Sequence, residues 1–180
     1  MMTITKHFKI LTAIFTTFLF ANHITAQEKT HYDQNFRLGI GINAGYIFQE
    51  PFQYALGGDV RLQYDLSKRY SLTLTTGYTN LKVSGKNNDL GLIPVKAGYK
   101  TFIWEDKFYV MAEMGVAISV THDYSKTSLV VAPCVGYASK CIDISLHYER
   151  YADFAKENND GSVGQGVGQI GIRLAYGFKL

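Results

Sequence analysis

The chain predicts an all-β fold, an eight-stranded antiparallel up-and-down transmembrane β-barrel preceded by a cleavable signal peptide. Three observations carry this. The first is the final stretch, Gly166 to Leu180. Ile170, Ile172, Leu174, Tyr176, Phe178 and Leu180 fall on one face of an extended strand, and Gly171, Arg173, Ala175, Gly177 and Lys179 on the other. Strict period two marks a strand with a different environment on each face. A terminal strand left as a sheet edge invites pairing with other chains, and closing the sheet removes that edge. The second observation is that the same alternation recurs in seven earlier segments. The third is that most connections between them alternate short and long.

The first 26 residues read as a signal peptide. Lys6, His7 and Lys9 give a positive start, Ile10–Ala21 is an apolar run too short to span a membrane, and Asn22–Ala26 is a polar exit before Gln27. No Cys follows the apolar run, which argues against a lipoprotein anchor. Residues 27–35 form a polar lead-in, and residues 36–180 the barrel. No later stretch approaches the ~20 apolar residues of a membrane-spanning helix. The net charge of +3 is small and scattered. With no Lys/Arg run, nucleic acid is not an expected partner.

Taken in order, Phe36–Phe48 alternates Leu38, Ile40, Ile42, Ala44 and Tyr46 against Arg37, Gly39, Gly41, Asn43 and Gly45. Pro51 lies in the break that follows. Tyr54–Leu66 sets Leu56, Val60, Leu62, Tyr64 and Leu66 against Asp59, Arg61, Gln63 and Asp65. After the Ser67-Lys68-Arg69 turn, Tyr70, Leu72, Leu74, Thr76 and Tyr78 continue the apolar face. Pairing Leu66 with Tyr70 sets Tyr64 opposite Leu72 and Leu62 opposite Leu74, apolar with apolar. A polar loop over 80–89 precedes Leu90–Ile103, where Ile93, Val95, Ala97 and Tyr99 face away from Pro94, Lys96, Gly98 and Lys100. Phe108–Val120 alternates Phe108, Val110, Ala112, Met114, Val116 and Ile118 with Tyr109, Met111, Glu113, Gly115, Ala117 and Ser119. Ser128–Ala138 carries Leu129, Val131, Pro133, Val135 and Tyr137. After Ser139-Lys140, Ile142, Ile144, Leu146 and Tyr148 oppose Asp143, Ser145, His147 and Glu149.

Turns at 67–69, 104–107 and 139–140 are minimal, and those at 80–89, 121–127 and 151–165 are long. Membrane barrels show this asymmetry, with short periplasmic turns and longer external loops. Both termini would then be periplasmic. Parity alone also permits a soluble, lipocalin-like barrel with apolar residues inside. The membrane reading is favoured because the apolar face is almost free of charge within the strands. Tyr46, Tyr64, Tyr70, Tyr78, Tyr99, Phe108, Tyr137, Tyr148 and Phe178 also lie on that face, many near strand ends, as interfacial aromatic girdles do.

The opposite face mixes small residues with Arg37, Arg61, Lys96, Lys100, Arg173, Asp59, Glu113, Asp143 and Glu149. An eight-stranded barrel is only wide enough for side chains to fill. Buried charges there must pair, so the expectation is an ion-pair network plugging the lumen; a gated solute path is the alternative. Cys134 and Cys141 both fall on the lumen face by parity. Pairing about Ser139-Lys140 sets Cys134 opposite Ser145, so the sulfurs are out of register and two free thiols are expected. No cofactor or metal is expected, for neither metal-ligand spacing nor a phosphate-cradling glycine turn is present. Two groups resemble catalytic sets: His122, Asp123 and Ser125 in one loop, and Ser145, His147 and Glu149 on one strand face. Neighbours two apart on a strand stand about 6.6 Å apart along it, too far for a nucleophile and its base. An enzyme is not expected.

The segments IPVKAGYKTF (93–102), FYVMAEMGVAISV (108–120), APCVGYASK (132–140) and DISLHYERY (143–151) resemble the outer-membrane β-barrel domain family. This family is PorT-like and related to OmpA/OmpX-type small barrels, and the likeness spans Phe36 to Leu180. The resemblance implies that the last strand is read by the barrel-assembly machinery through a signal filled here by Arg173, Ala175, Phe178 and Leu180. Ala175 stands where the pattern has Gly, and Leu180 where it has an aromatic. The resulting expectation is a monomeric outer-membrane barrel with a structural or surface-interaction role. It contacts outer-membrane lipid, and an extracellular partner through its loops. A transport-related barrel (a narrow pore or a secretion-system accessory) is the alternative, with a lipid-modifying barrel enzyme or a lipocalin-like binder further behind.

Overall fold

A computed structural model describes residues 34–49, 52–83, 89–104, 107–121, 127–152 and 166–180. The signal peptide, nearly all of the polar lead-in and the trio His122, Asp123 and Ser125 lie outside these described residues. The rest is one closed antiparallel barrel of eight strands. They are β1 (Phe36–Ile47), β2 (Phe52–Asp65), β3 (Tyr70–Val83), β4 (Leu90–Trp104), β5 (Phe108–Ser119), β6 (Thr127–Ala138), β7 (Ile142–Tyr151) and β8 (Val167–Lys179). Each strand pairs with the next, and β8 returns to β1 with Arg37 opposite Lys179 and Ile47 opposite Gln169. Both strand termini share one end of the barrel with the turns at 66–69 and 139–141. The connections at 84–89, 120–126 and 152–166 leave from the other end.

The β2–β3 hairpin has the register that apolar pairing demands, with Tyr64 opposite Leu72 and Leu62 opposite Leu74. The β6–β7 hairpin corrects the sequence expectation. Its turn takes in Ser139, Lys140 and Cys141, so Ala138 faces Asp143, Gly136 faces Ser145 and Cys134 faces His147. The slip from the expected Cys134–Ser145 pairing is two residues. It leaves every side chain on its original face, and alternation therefore cannot detect it.

Outward, the strands present an apolar belt in which Ile42 and Met114 are each 67% exposed. Rings flank the belt. At the termini end, Phe36 packs on Tyr64, Tyr70 on Tyr99, Phe108 on Tyr137 and Tyr176 on Phe178. At the loop end, Tyr46 meets Phe48 edge-on. Tyr78 and Tyr148 lie over Gly91 and Gly168 of the neighbouring strands, whose missing side chains leave room for the rings. Close approach of backbone explains Gly115: a Cβ there would stand 1.9 Å from the Val95 carbonyl oxygen.

Two strands run further than the polar residues suggested. β3 continues to Val83 and β7 to Tyr151. Beyond the belt the two faces exchange character. Asn80, Lys82 and Arg150 point outward, while Ile47, Leu81, Leu92, Val130, Tyr151 and Val167 close together inside. Strands that leave hydrocarbon for water follow the ordinary soluble rule, apolar in and polar out.

Candidate functional site: the barrel lumen

Inward positions of seven of the eight strands, all but β6, converge on a column of ion pairs. At the termini end, Asp65 accepts hydrogen bonds from Arg37 Nε at 2.8 Å, Gln63 Nε2 at 2.6 Å and Ser71 Oγ at 2.8 Å. On the opposite wall, Asp143 accepts from Lys100 Nζ at 2.8 Å and Tyr109 Oη at 2.6 Å. The Lys100 ammonium also stands 3.7 Å from the centre of the Tyr109 ring, a cation–π contact in a desolvated setting.

The middle layer holds two arginine–carboxylate pairs. Arg173 binds Asp59 through Nε at 2.9 Å and Nη2 at 2.5 Å, and Asn43 Nδ2 donates to the same carboxylate at 3.1 Å. Arg61 donates from Nε to Thr75 Oγ1 at 2.9 Å and from Nη2 to Glu113 at 3.3 Å, while the Thr75 hydroxyl donates on to Glu113 at 2.6 Å. Above it, Lys96 binds Glu149 and lies 3.6 Å from Glu113. Glu149 also accepts from Tyr151 Oη at 2.8 Å and Gln169 Nε2 at 2.5 Å. Over this layer sits the apolar cluster around Leu81, Leu92 and Val130.

All nine charged residues that the sequence assigns to the lumen lie on inward positions. Arg61, Lys96, Asp59, Glu113, Glu149, Arg173 and Lys100 are buried, Asp143 is nearly so, and Arg37 stands at the mouth with its side chain 42% exposed. The lumen charges read from the sequence left out Asp65, whose inclusion brings the paired inward charges to five cations and five anions. It also missed the neutral partners Gln63, Ser71, Thr75, Tyr109, Tyr151 and Gln169. These occupy inward parity too, but nothing in a hydroxyl or amide at such a position announces a carboxylate across the barrel. The expectation for Cys141 needs correcting: it lies exposed in the β6–β7 turn, while Cys134 is buried in the lumen, and both thiols are free. The buried Ser145 Oγ makes no hydrogen bond to His147 or to any other described residue.

No family model and no curated protein matches this chain. Solved structures do. The N-terminal β-barrel domain of Pseudomonas aeruginosa OprF matches with a TM-score of 0.55 at 13% identity, covering 81% of this chain and all of that domain. Ail, the attachment invasion locus protein of Yersinia pestis, matches with a TM-score of 0.52 at 15% identity over 82% of this chain and all of Ail. A second Ail structure, in complex with the heparin analogue sucrose octasulfate, gives 0.54 at the same identity and coverage. With its apolar belt facing out and its charges paired inside, this chain has the transmembrane β-barrel fold of the small outer-membrane proteins.

Proposed function

We propose that this protein is a non-conducting, monomeric outer-membrane barrel with a structural or surface-interaction role. In this reading residues 1–26 direct export, both termini face the periplasm, and the connections at 84–89, 120–126 and 152–166 face outward. The observation that carries it is the double closure of the lumen. A charge-balanced ion-pair column fills the membrane-depth section, and an apolar cluster caps it at the loop end. A narrow pore would need a continuous wet path, which this packing opposes. The outward aromatics Tyr46, Tyr64, Tyr70, Tyr78, Tyr99, Phe108, Tyr137 and Tyr148 act as the interfacial girdle, and Arg173, Phe178 and Leu180 belong to the strand offered to the assembly machinery. The PorT-like sequence resemblance favours one second reading, an accessory of a secretion system, which the same plugged barrel could serve as an anchor.

Two measurements test this. Protein taken from outer membranes should run faster unboiled than boiled in SDS, and in planar bilayers it should pass no steady current. Regular conductance steps would overturn the plugged reading. For orientation, a membrane-impermeant maleimide should label Cys141 only after the outer membrane is permeabilised, and should reach Cys134 only after unfolding. Labelling of Cys141 on intact cells would place the termini outside.

A further inference from the structure

A small chamber of about 20 Å³ lies inside the column, and His147 is on its wall. His147 is the only histidine in the eight strands. Its ring is held from two sides. In register it faces Cys134 on β6 and Gly171 on β8. A Cβ on Gly171 would stand 2.5 Å from the imidazole Nε2, so it is the bare backbone there that makes room for the ring. The apolar cluster closes the lumen above, which leaves the ring no route to water at the loop end.

Every charge around that ring is already committed. The chamber takes Asp59 and Arg61 from β2, Lys96 from β4, Glu113 from β5, Glu149 from β7 and Arg173 from β8. Cys134 on β6 is the other titratable neighbour, and β1 and β3 add only neutral side chains. The six charges pair as Arg61 with Glu113, Lys96 with Glu149 and Arg173 with Asp59. The hydrogen bonds of these pairs do not include the imidazole. Glu149, two positions along the same strand face, already accepts from Lys96, Tyr151 and Gln169. Imidazole is the one side chain here whose ordinary titration changes its charge between about pH 5 and 8. A proton on it would set four cations against three anions in a desolvated space, where an unmatched charge is costly.

We propose that His147 is an acid switch built into the lumen, which loosens the barrel when the ring takes up a proton. The unfolded chain accepts that proton freely near about pH 6.5, whereas the packed column must break its charge balance to do so. The unfolded state then binds more protons than the folded one, and stability falls as pH drops. The switch goes beyond the anchoring role and depends only on the packed lumen.

The test is denaturant unfolding of the full protein in phosphatidylcholine vesicles, followed by tryptophan fluorescence from about pH 7.5 to about pH 5.5. The unfolding equilibrium constant is expected to rise by about tenfold across that range, the full effect of one proton bound by the unfolded state alone. In His147→Gln it should stay constant within about twofold. His31 and His122 remain in that variant and serve as its internal control. Lys96→Met leaves Glu149 without its cation, so a protonated His147 gains a carboxylate and acidification should lower the constant instead. That change of sign keeps the test open should His147→Gln fold poorly. A wild-type constant that does not move with pH, an equal rise in His147→Gln, or an unreversed slope in Lys96→Met would overturn the switch.

Discussion

Asp59→Ala is expected to destabilise the barrel by about 3–5 kcal/mol, the usual cost of stranding one partner of a buried ion pair. Asp59 holds Arg173 through two donor atoms, and both side chains are more than nine-tenths buried. After the truncation only Asp143, 3.8 Å from Arg173 Nη1 and already held by Lys100 and Tyr109, remains near that guanidinium, so the barrel must keep a poorly compensated charge or admit water. Denaturant unfolding in lipid vesicles, followed by the fluorescence of Trp104, reads the change. The chain has one tryptophan, so the signal has one source. The double variant Asp59→Ala/Arg173→Met should recover much of the loss, because the penalty belongs to the orphaned charge rather than to the pair's net worth. A single-variant cost below about 1 kcal/mol, the range of exposed pairs, would mean that Arg173 is solvated.

The second large effect lies on the other face. Leu174→Arg is expected to cost about 2–4 kcal/mol, as charge does at the midplane of a membrane barrel's lipid face. Leu174 sits opposite Ile42 on β1 and Ile144 on β7, with no polar neighbour in register. The same variant separates the two ways of reading alternation. In a soluble barrel Leu174 would face water and an arginine there would cost almost nothing. The expected readout is a lower denaturant midpoint in vesicles together with a smaller fraction of protein reaching the folded, fast-running form. An unchanged midpoint would remove the lipid from the outward face.

How far the sequence reveals this fold can be followed residue by residue. Ile170 to Phe178 alternate so strictly that the last strand and its outward face are plain, and Leu62 with Leu74 fixes the β2–β3 register. The β6–β7 register was not legible because Cys134 facing Ser145 and Cys134 facing His147 differ by two residues, and both satisfy the same inward and outward pattern. The upper ends of β3 and β7 were hidden for a different reason. Asn80, Lys82 and Arg150 are outward-facing polar residues that resemble a loop when the outward face is assumed to stay apolar. Above the belt that assumption reverses, and Leu81 and Tyr151 turn out to be interior. In the lumen, parity finds the charged residues but not their partners. The pairing of Arg61 with Glu113 and of Lys96 with Glu149 spans more than fifty positions of chain and depends on how far the barrel is sheared.

The seam between β1 and β8 has a consequence in time. It joins Arg37 to Lys179, nearly the whole described chain apart. No arrangement of the first seven strands can stand in for it, because each outward row would still end in an unpaired edge. Contacts of such separation form late and slowly. Between synthesis and closure, the rows carrying Ile42, Met114 and Leu174 have no lipid to face and no partner strand to complete the sheet. Until that seam closes, the open edges and the apolar rows leave the chain prone to pair with other chains, so closure is the step that ends its exposure to aggregation.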